Sequence, residues 1–235
     1  MTFGSGATVS GSTAPALVPM DFPTIEVPSV SSTGPLTLGA FALKALPAGT
    51  YGYDNLSLGK GSQLTVSGPA TIVVKDFLCG PSSTLKIDAT AGPVTIYVQG
   101  DFLPASGFSA VPVPGSPAAV AFMIEGTKDI VFPNDSKVRG AYYAPNANVV
   151  FTNTNEVWGA IAANRIDMSS ATRFHYDESL AEYWTKDSGA GNDPLQLLSW
   201  RRSAVSAEAG GGDRRDPFQA LGVNQAKLSA PAASW

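Results

Sequence analysis

Two groups of residues in this chain have types and spacings that can do chemistry. His175, Asp177 and Glu178 fall together in FHYDE. An imidazole beside a carboxylate is a proton-moving pair of the kind general acid–base catalysis uses. A hydrolase built on it would also need a nucleophile, and the sequence contains no GxSxG elbow. On an extended strand His175 and Asp177 share a face, and across a helix start at Asp177 they do not. The pair is therefore read as a structural cap, bonded locally, that ties a following helix to the body of the fold. Asp76 and Asp101 form the second group, in the related pieces KDF and GDF. Carboxylates repeated on neighbouring coils of a β-helix can hold calcium or cleave uronate polymers. That activity needs a dense set of acids and bases, and Lys75 and Lys86 are the only bases nearby. Turn-capping aspartates are the reading adopted.

The remaining polar motifs read as architecture. NDS (134–136) and NTN (153–155) occupy equivalent places between strands, where Asn bonds backbone groups and tolerates left-handed conformations. GKGS (59–62) lacks the spacing of a phosphate-binding loop. Tyr142, Tyr143 and Trp158 are the expected surface or partner contacts, because exposed aromatics bind sugars or proteins. Within GAYYAP the two tyrosines point to opposite faces, so one is expected to project outward. The alternative is cover by the N-terminal segment or the C-terminal tail.

Composition narrows the classes further. Among 235 residues there are 24 Gly and 18 Pro, and only 14% are charged. Both Gly and Pro cost free energy inside helices, which argues against a bundle. A net charge of −4 argues against nucleic acid as a partner, since phosphate binding needs a basic stripe. The doublets Arg201–Arg202 and Arg214–Arg215 are too few for one. A single cysteine, Cys79, and a single histidine, His175, exclude a disulfide framework and a multi-histidine or cysteine-based metal site. No cofactor, no metal and no catalytic residue is expected. No run of about 18 apolar residues is present, so no membrane insertion is expected.

These residues must be positioned by short strands. Segments such as QLTV (63–66), TIVV (71–74), TLKI (84–87) and VTIYV (94–98) alternate apolar with polar or small residues, so one face is buried. DIVFPNDSKVRGAYYAPNA aligns without a gap on NVVFTNTNEVWGAIAANRI, 19 residues later. A looser echo pairs VVKDFL (73–78) with YVQGDFL (97–103). A period near 20 with short strands signals a solenoid. The expected fold is all-β, a single β-solenoid (β-helix), with equivalent side chains stacked as ladders in a narrow core. A β-sandwich is the rival, and it does not explain a gapless repeat. The expected organisation is an extended Gly/Ser/Pro-rich segment over 1–35, the solenoid over 36–186 with a capping helix at 176–186, and a low-complexity tail over 187–235. Within that tail LQLLSW (195–200) reads as one further strand.

Four ordered pieces carry a resemblance: TYGYDNLSLGKGSQLTVSGPATIVVKDF (50–77), GAYYAPNANVVF (140–151), WGAIAANRI (158–166) and RFHYDESL (173–180), followed by LLSWRR (197–202). Together they resemble an uncharacterised C-terminal domain of bacterial type IV pilus-associated, minor-pilin-like exported proteins. A more distant likeness is to bactofilins, cytoskeletal β-helices that polymerise. The first resemblance implies a coiled β architecture and an extracellular or cell-surface setting, with leader or anchor outside this chain. The second implies a cytoplasmic filament. Two departures stand out: no pilin-like N-terminal helix, and Arg202 where an acidic residue is usual. The expected function is a non-catalytic structural or adhesive domain with protein partners, copies of itself or glycans. The alternatives are a carbohydrate-active β-helix enzyme, a glycan-binding module or a cytoskeletal scaffold.

Overall fold

The computed structural model describes residues 22–113, 115–169, 171–177 and 180. The chain forms β1 (Leu36–Leu38), β2 (Leu43–Leu46), β3 (Gly49–Leu58), β4 (Gln63–Ser67) and β5 (Ala70–Cys79). There follow β6 (Thr84–Asp88), β7 (Val94–Val98), β8 (Phe102–Leu103), β9 (Ser109–Val113) and β10 (Val120–Ile124). The last are β11 (Ile130–Phe132), β12 (Lys137–Phe151), β13 (Glu156–Met168) and β14 (Arg173–Tyr176). Every pairing is parallel between successive coils, which makes the fold a β-solenoid.

Each coil contributes to three ladders. Ladder one stacks β1 on residues 55–58 of β3, then on 76–79 of β5 and on β8. Towards the C-terminus it continues as β11, residues 148–151 of β12 and residues 165–168 of β13. Ladder two runs β2, β4, β6, β9, the starts of β12 and β13, and β14. Ladder three takes residues 49–53 of β3 and 70–74 of β5, then β7, β10 and the middles of β12 and β13. The sequence repeat is the structural register: Ile130 pairs with Val149, Val138 with Val157 and Gly140 with Gly159. The looser echo holds too, with Val73 opposite Tyr97 and Phe77 opposite Phe102. GAYYA (140–144) and NVVF (148–151) belong to one 15-residue strand, β12. It turns from ladder three to ladder one through a register irregularity between Ala144 and Asn148 without losing its pairing to β13.

The corners between ladders one and two explain the small and polar residues in the repeat. Ser62, Ser83 and Phe108 each donate a backbone N–H to the carbonyl three residues earlier, on Gly59, Gly80 and Ala105. The residue before each takes a positive φ: Gly61, Ser82 and Gly107. At Gly61 and Gly107 this is the conformation that glycine adopts without a side-chain clash. The core inside the ladders is filled in two ways. The N-terminal coils stack aliphatic columns, among them Leu56, Leu64, Leu85, Ile72 and Ile96. The C-terminal coils stack rings: Phe102 on Phe122, Phe122 on Tyr142 at 4.5 Å, and Phe132 on Phe151 at 4.9 Å.

Residues 1–21 of the expected N-terminal segment lie outside the described residues; residues 22–35 run without helix or strand and act as a strap. It follows the outer side of ladder three, where Gly52, Val73, Tyr97, Met123 and Tyr143 form one column. Phe22 meets Tyr143 edge to face, and Ile25 is buried against Met123 and Tyr143. At the other end Ser31 lies so close to Gly52 that a Cβ there would sit 2.4 Å from its carbonyl oxygen. Thr33 donates its N–H to the Gly52 carbonyl. The capping helix expected over 176–186 is corrected at its start: Tyr176 is the last residue of β14, paired with Gly159. Its register on β13 holds it extended. Asp177 still reaches Gly159 and Leu180 folds back to the Asp177 carbonyl. The rest of that helix, the tail over 187–235 and the strand at 195–200 lie outside the described residues.

Candidate functional site

Parallel stacking decides what the polar side chains can do, because each faces its counterpart about 4.8 Å away on the next coil. On ladder one the column Asn55, Asp76, Asp101 lines a shallow groove together with Pro35, Thr37, Ser57, Leu78 and Leu103. The two aspartates do stack on neighbouring coils. Asp76 accepts the backbone N–H of Asp101 at 2.8 Å. With its amide nitrogen turned to the carboxylate, Asn55 donates to the other Asp76 oxygen at 3.2 Å. Asp101 in turn pairs with Lys128 at 2.8 Å. Both carboxylates therefore have protein partners, in the capping arrangement rather than one converging on a shared guest. Among the described residues no three His, Cys, Asp or Glu side chains come together as a metal site.

The aromatic candidates divide. Tyr142 and Tyr143 do point to opposite faces, yet neither is a surface contact, since each is 3% exposed. Tyr142 enters the core and stacks between coils, because its column continues Ile72, Ile96 and Phe122. Its hydroxyl has no hydrogen-bond partner. Burial, and then the neighbouring Cys79, hold its pKa well above the ordinary value. Burial likewise raises the Cys79 thiol, which keeps it in the unreactive protonated form. Tyr143 faces outward beneath the strap and donates its hydroxyl to the Pro23 carbonyl. Loss of solvent there pushes its pKa up to about 12.

Trp158 does lie on the outer side, on ladder two. Its ring is stacked on both sides. The Arg139 guanidinium sits 4.5 Å from its centroid, one coil earlier. His175 stacks from the next coil at 5.2 Å with a 14° tilt. The register requires this order, since Arg139, Trp158 and His175 are successive members of one column. A sugar would need one of those ring faces, so Trp158 offers an edge and not a platform. His175 is thus a stacking partner on the outside of the last rung. Asp177 carries the ladder one residue further through its N–H on the Gly159 carbonyl, at 3.4 Å.

Sequence reasoning missed a second polar column. Asn148 donates to Asp129 at 2.9 Å and Asn164 donates to Asn148 at 3.0 Å. The signal was present, for Asp129 and Asn148 occupy the same place in the 19-residue repeat. At the corner, Asn153 donates to Asn134 at 2.7 Å. Asn155 is buried, accepts from the Ser136 N–H and donates to the Thr152 carbonyl. The outer faces are thus columns of mutually satisfied side chains.

No curated protein and no solved structure matches the chain. Residues 30–183 match the model of a family described as Domain of unknown function (DUF7305), and they span all the coils and the end of the strap that meets Gly52. By that match the chain belongs to the DUF7305 family.

Proposed function

We propose that this protein is a non-catalytic structural or adhesive domain, displayed at a cell surface in association with a pilus or envelope, whose working part is the stiff solenoid and its outer faces. The observation that carries this reading is the mutual satisfaction of its polar columns. Asp76, Asp101, Asn148 and Asn155 bond to their own neighbours, and a catalytic group must keep a free face for substrate. A narrow core and coil-to-coil hydrogen bonding suit a rod that bears load or presents a surface. Partners on this reading are proteins, further copies of the chain, or glycans.

The reading is tested on cells that make the protein naturally, with an antibody raised to the solenoid, applied before and after permeabilisation. Binding to intact cells is the expected result. A signal that appears only after permeabilisation would instead favour an internal scaffold. The same purified protein is assayed on uronate polymers with and without calcium. Turnover that disappears in Asp76→Ala or Asp101→Ala would establish an enzyme and sink the proposal.

A further inference from the structure

The three ladders present different outer faces. The strap runs over ladder three. Ladder one holds its acids in pairs, Asp101 with Lys128, Asp167 with Arg165 and Asp129 with Asn148. Ladder two is the exception. Its outward positions hold four cations, Lys86, Lys137, Arg139 and Arg173, against two carboxylates, Asp88 and Glu156. The chain as a whole has a net charge of −4, so this face runs against the balance of the molecule. Lys86, Lys137 and Arg173 are exposed. Glu156 approaches Arg173 only to 3.8 Å, and Lys86 and Lys137 enter no ion pair among the described residues. The cations also have a period. They sit on alternate rungs, β6, β12 and β14, and β9 between the first two brings Ser109 and Val111 instead. Successive rungs are about 4.8 Å apart, so a cationic rung recurs about every 10 Å. Thr84, paired with Ser109, adds a second hydroxyl to the same face.

We infer that the outer face of ladder two binds an acidic polysaccharide with a carboxylate on every second sugar, held along the solenoid axis by Lys86, Lys137, Arg139 and Arg173. The inference rests on the glycan partner of the proposed function and gives that partner a face and a chemical class. Charge spacing selects the occupant. DNA carries one negative charge per about 1.7 Å of helix axis, far denser than cations that recur about every 10 Å. A chain of net charge −4 also repels so dense a polyanion. An alternating glycan brings its carboxylates at intervals of two sugars, with hydroxyls between them for Thr84 and Ser109. Ring stacking is not what holds it, because Arg139 and His175 take both faces of Trp158. That stacking instead steadies the Arg139 guanidinium, whose planar fork of N–H donors matches a carboxylate, so less side-chain freedom is lost on binding.

Affinity electrophoresis of the full chain tests it, read as retardation relative to a gel without polymer. Hyaluronate, which alternates charged and neutral sugars, is the probe, and neutral dextran, double-stranded DNA and polyglutamate are the comparisons. Hyaluronate should retard the native protein and dextran should not, and the retardation should fade as salt rises. Lys86→Glu/Lys137→Glu should weaken hyaluronate binding at least about tenfold, since charges that face the ligand are reversed. Lys86→Arg/Lys137→Arg should keep it. Lys75→Glu/Lys128→Glu alters the net charge equally on exposed residues away from ladder two and should leave binding nearly unchanged. Urea midpoints near the native value verify that each variant folds. No retardation by hyaluronate overturns the inference, and so does an equal loss in the two charge-reversed pairs. Tighter binding to DNA or to polyglutamate also overturns it, and would assign the face to a nucleic acid or an acidic protein. The proposed function fails separately: hyaluronate binding that depends on Lys86 and Lys137, in a protein the antibody reaches only after permeabilisation, supports the face and rejects surface display.

Discussion

The N-terminal and C-terminal halves of the solenoid keep one register and fill it by opposite means. In the first coils Leu64 and Leu85, or Ile72 and Ile96, stack as like on like. In the later coils the column of Ile72 and Ile96 carries Phe122 and Tyr142, stacked at 4.5 Å with 5° between their planes. Phe102 touches Phe77, Phe108, Phe122 and Phe132 at once. Large rings in one column require small residues beside them. Ala144 and Ala163, in the same core as the rings, and Gly140 and Gly159 occupy the C-terminal coils. A parallel solenoid therefore constrains volume per coil and leaves the identity of each column free. The aliphatic half spreads its packing over many similar contacts, and the aromatic half concentrates it in a few rings.

The sharpest way to break that comparison is Phe102→Ala. It removes a ring with four aromatic neighbours, and a cost of about 3–5 kcal/mol follows from large-to-small changes in cores. Ile87→Val, paired with Val66 in the aliphatic half, should cost only about 0.5–1.5 kcal/mol. Urea unfolding of both variants checks this, and equal losses would mean that the aromatic half has no special concentration of packing.

Backbone crowding comes next. Gly159 has a φ of +132°, and a Cβ there would lie 2.0 Å from the Gly140 carbonyl oxygen, whereas a Cβ on Gly39 meets nothing within 4 Å. Gly159→Ala should destabilise by about 1–3 kcal/mol, and Gly39→Ala should leave the urea midpoint nearly unchanged.

A smaller effect belongs to the strap over the aromatic half. Tyr143→Phe removes the hydrogen bond to Pro23, at a cost of about 0.5–1.5 kcal/mol near neutral pH. The variant should also respond less to alkali. The folded pKa of Tyr143 is raised from 10.0 to about 12, so the folded state holds the proton more tightly than the unfolded chain. Its contribution is complete below about pH 10 and is lost as pH rises to about 12. Unfolding followed at pH 7 and pH 11 should show the native protein losing more stability than Tyr143→Phe. An equal loss would mean that Tyr143 is not what couples the strap to pH.

The least effect is expected from Lys128→Ala. Its ion pair with Asp101 is largely exposed, and such pairs contribute about 0–1 kcal/mol and are screened by salt. A loss larger than that, undiminished in high salt, would show the ladder-one column to be a structural element and not surface decoration.

Much of this was legible before any coordinates. The 19-residue offset between DIVF and NVVF is the coil length, because in a parallel stack sequence equivalence and spatial adjacency coincide. Asp76 over Asp101 followed from KDF and GDF for the same reason. Burial of Tyr143 was less accessible. Alternation correctly sends it outward, and only the strap, more than 100 residues earlier in the chain, covers it. Tyr176 was expected in a helix because its spacing with Leu180 fits one, but pairing with Gly159 outweighs a weak local preference. Trp158 was rightly placed outside, while its occupation on both faces depends on the residues one coil before and one coil after.

By itself the sequence determined the solenoid, its period and the inward or outward direction of most side chains, since these follow from local alternation and from repetition at a fixed offset. Only the tertiary structure decided which outward residues meet solvent and which polar groups satisfy one another. Those outcomes depend on contacts between segments far apart in the chain, and no local pattern of residues encodes them.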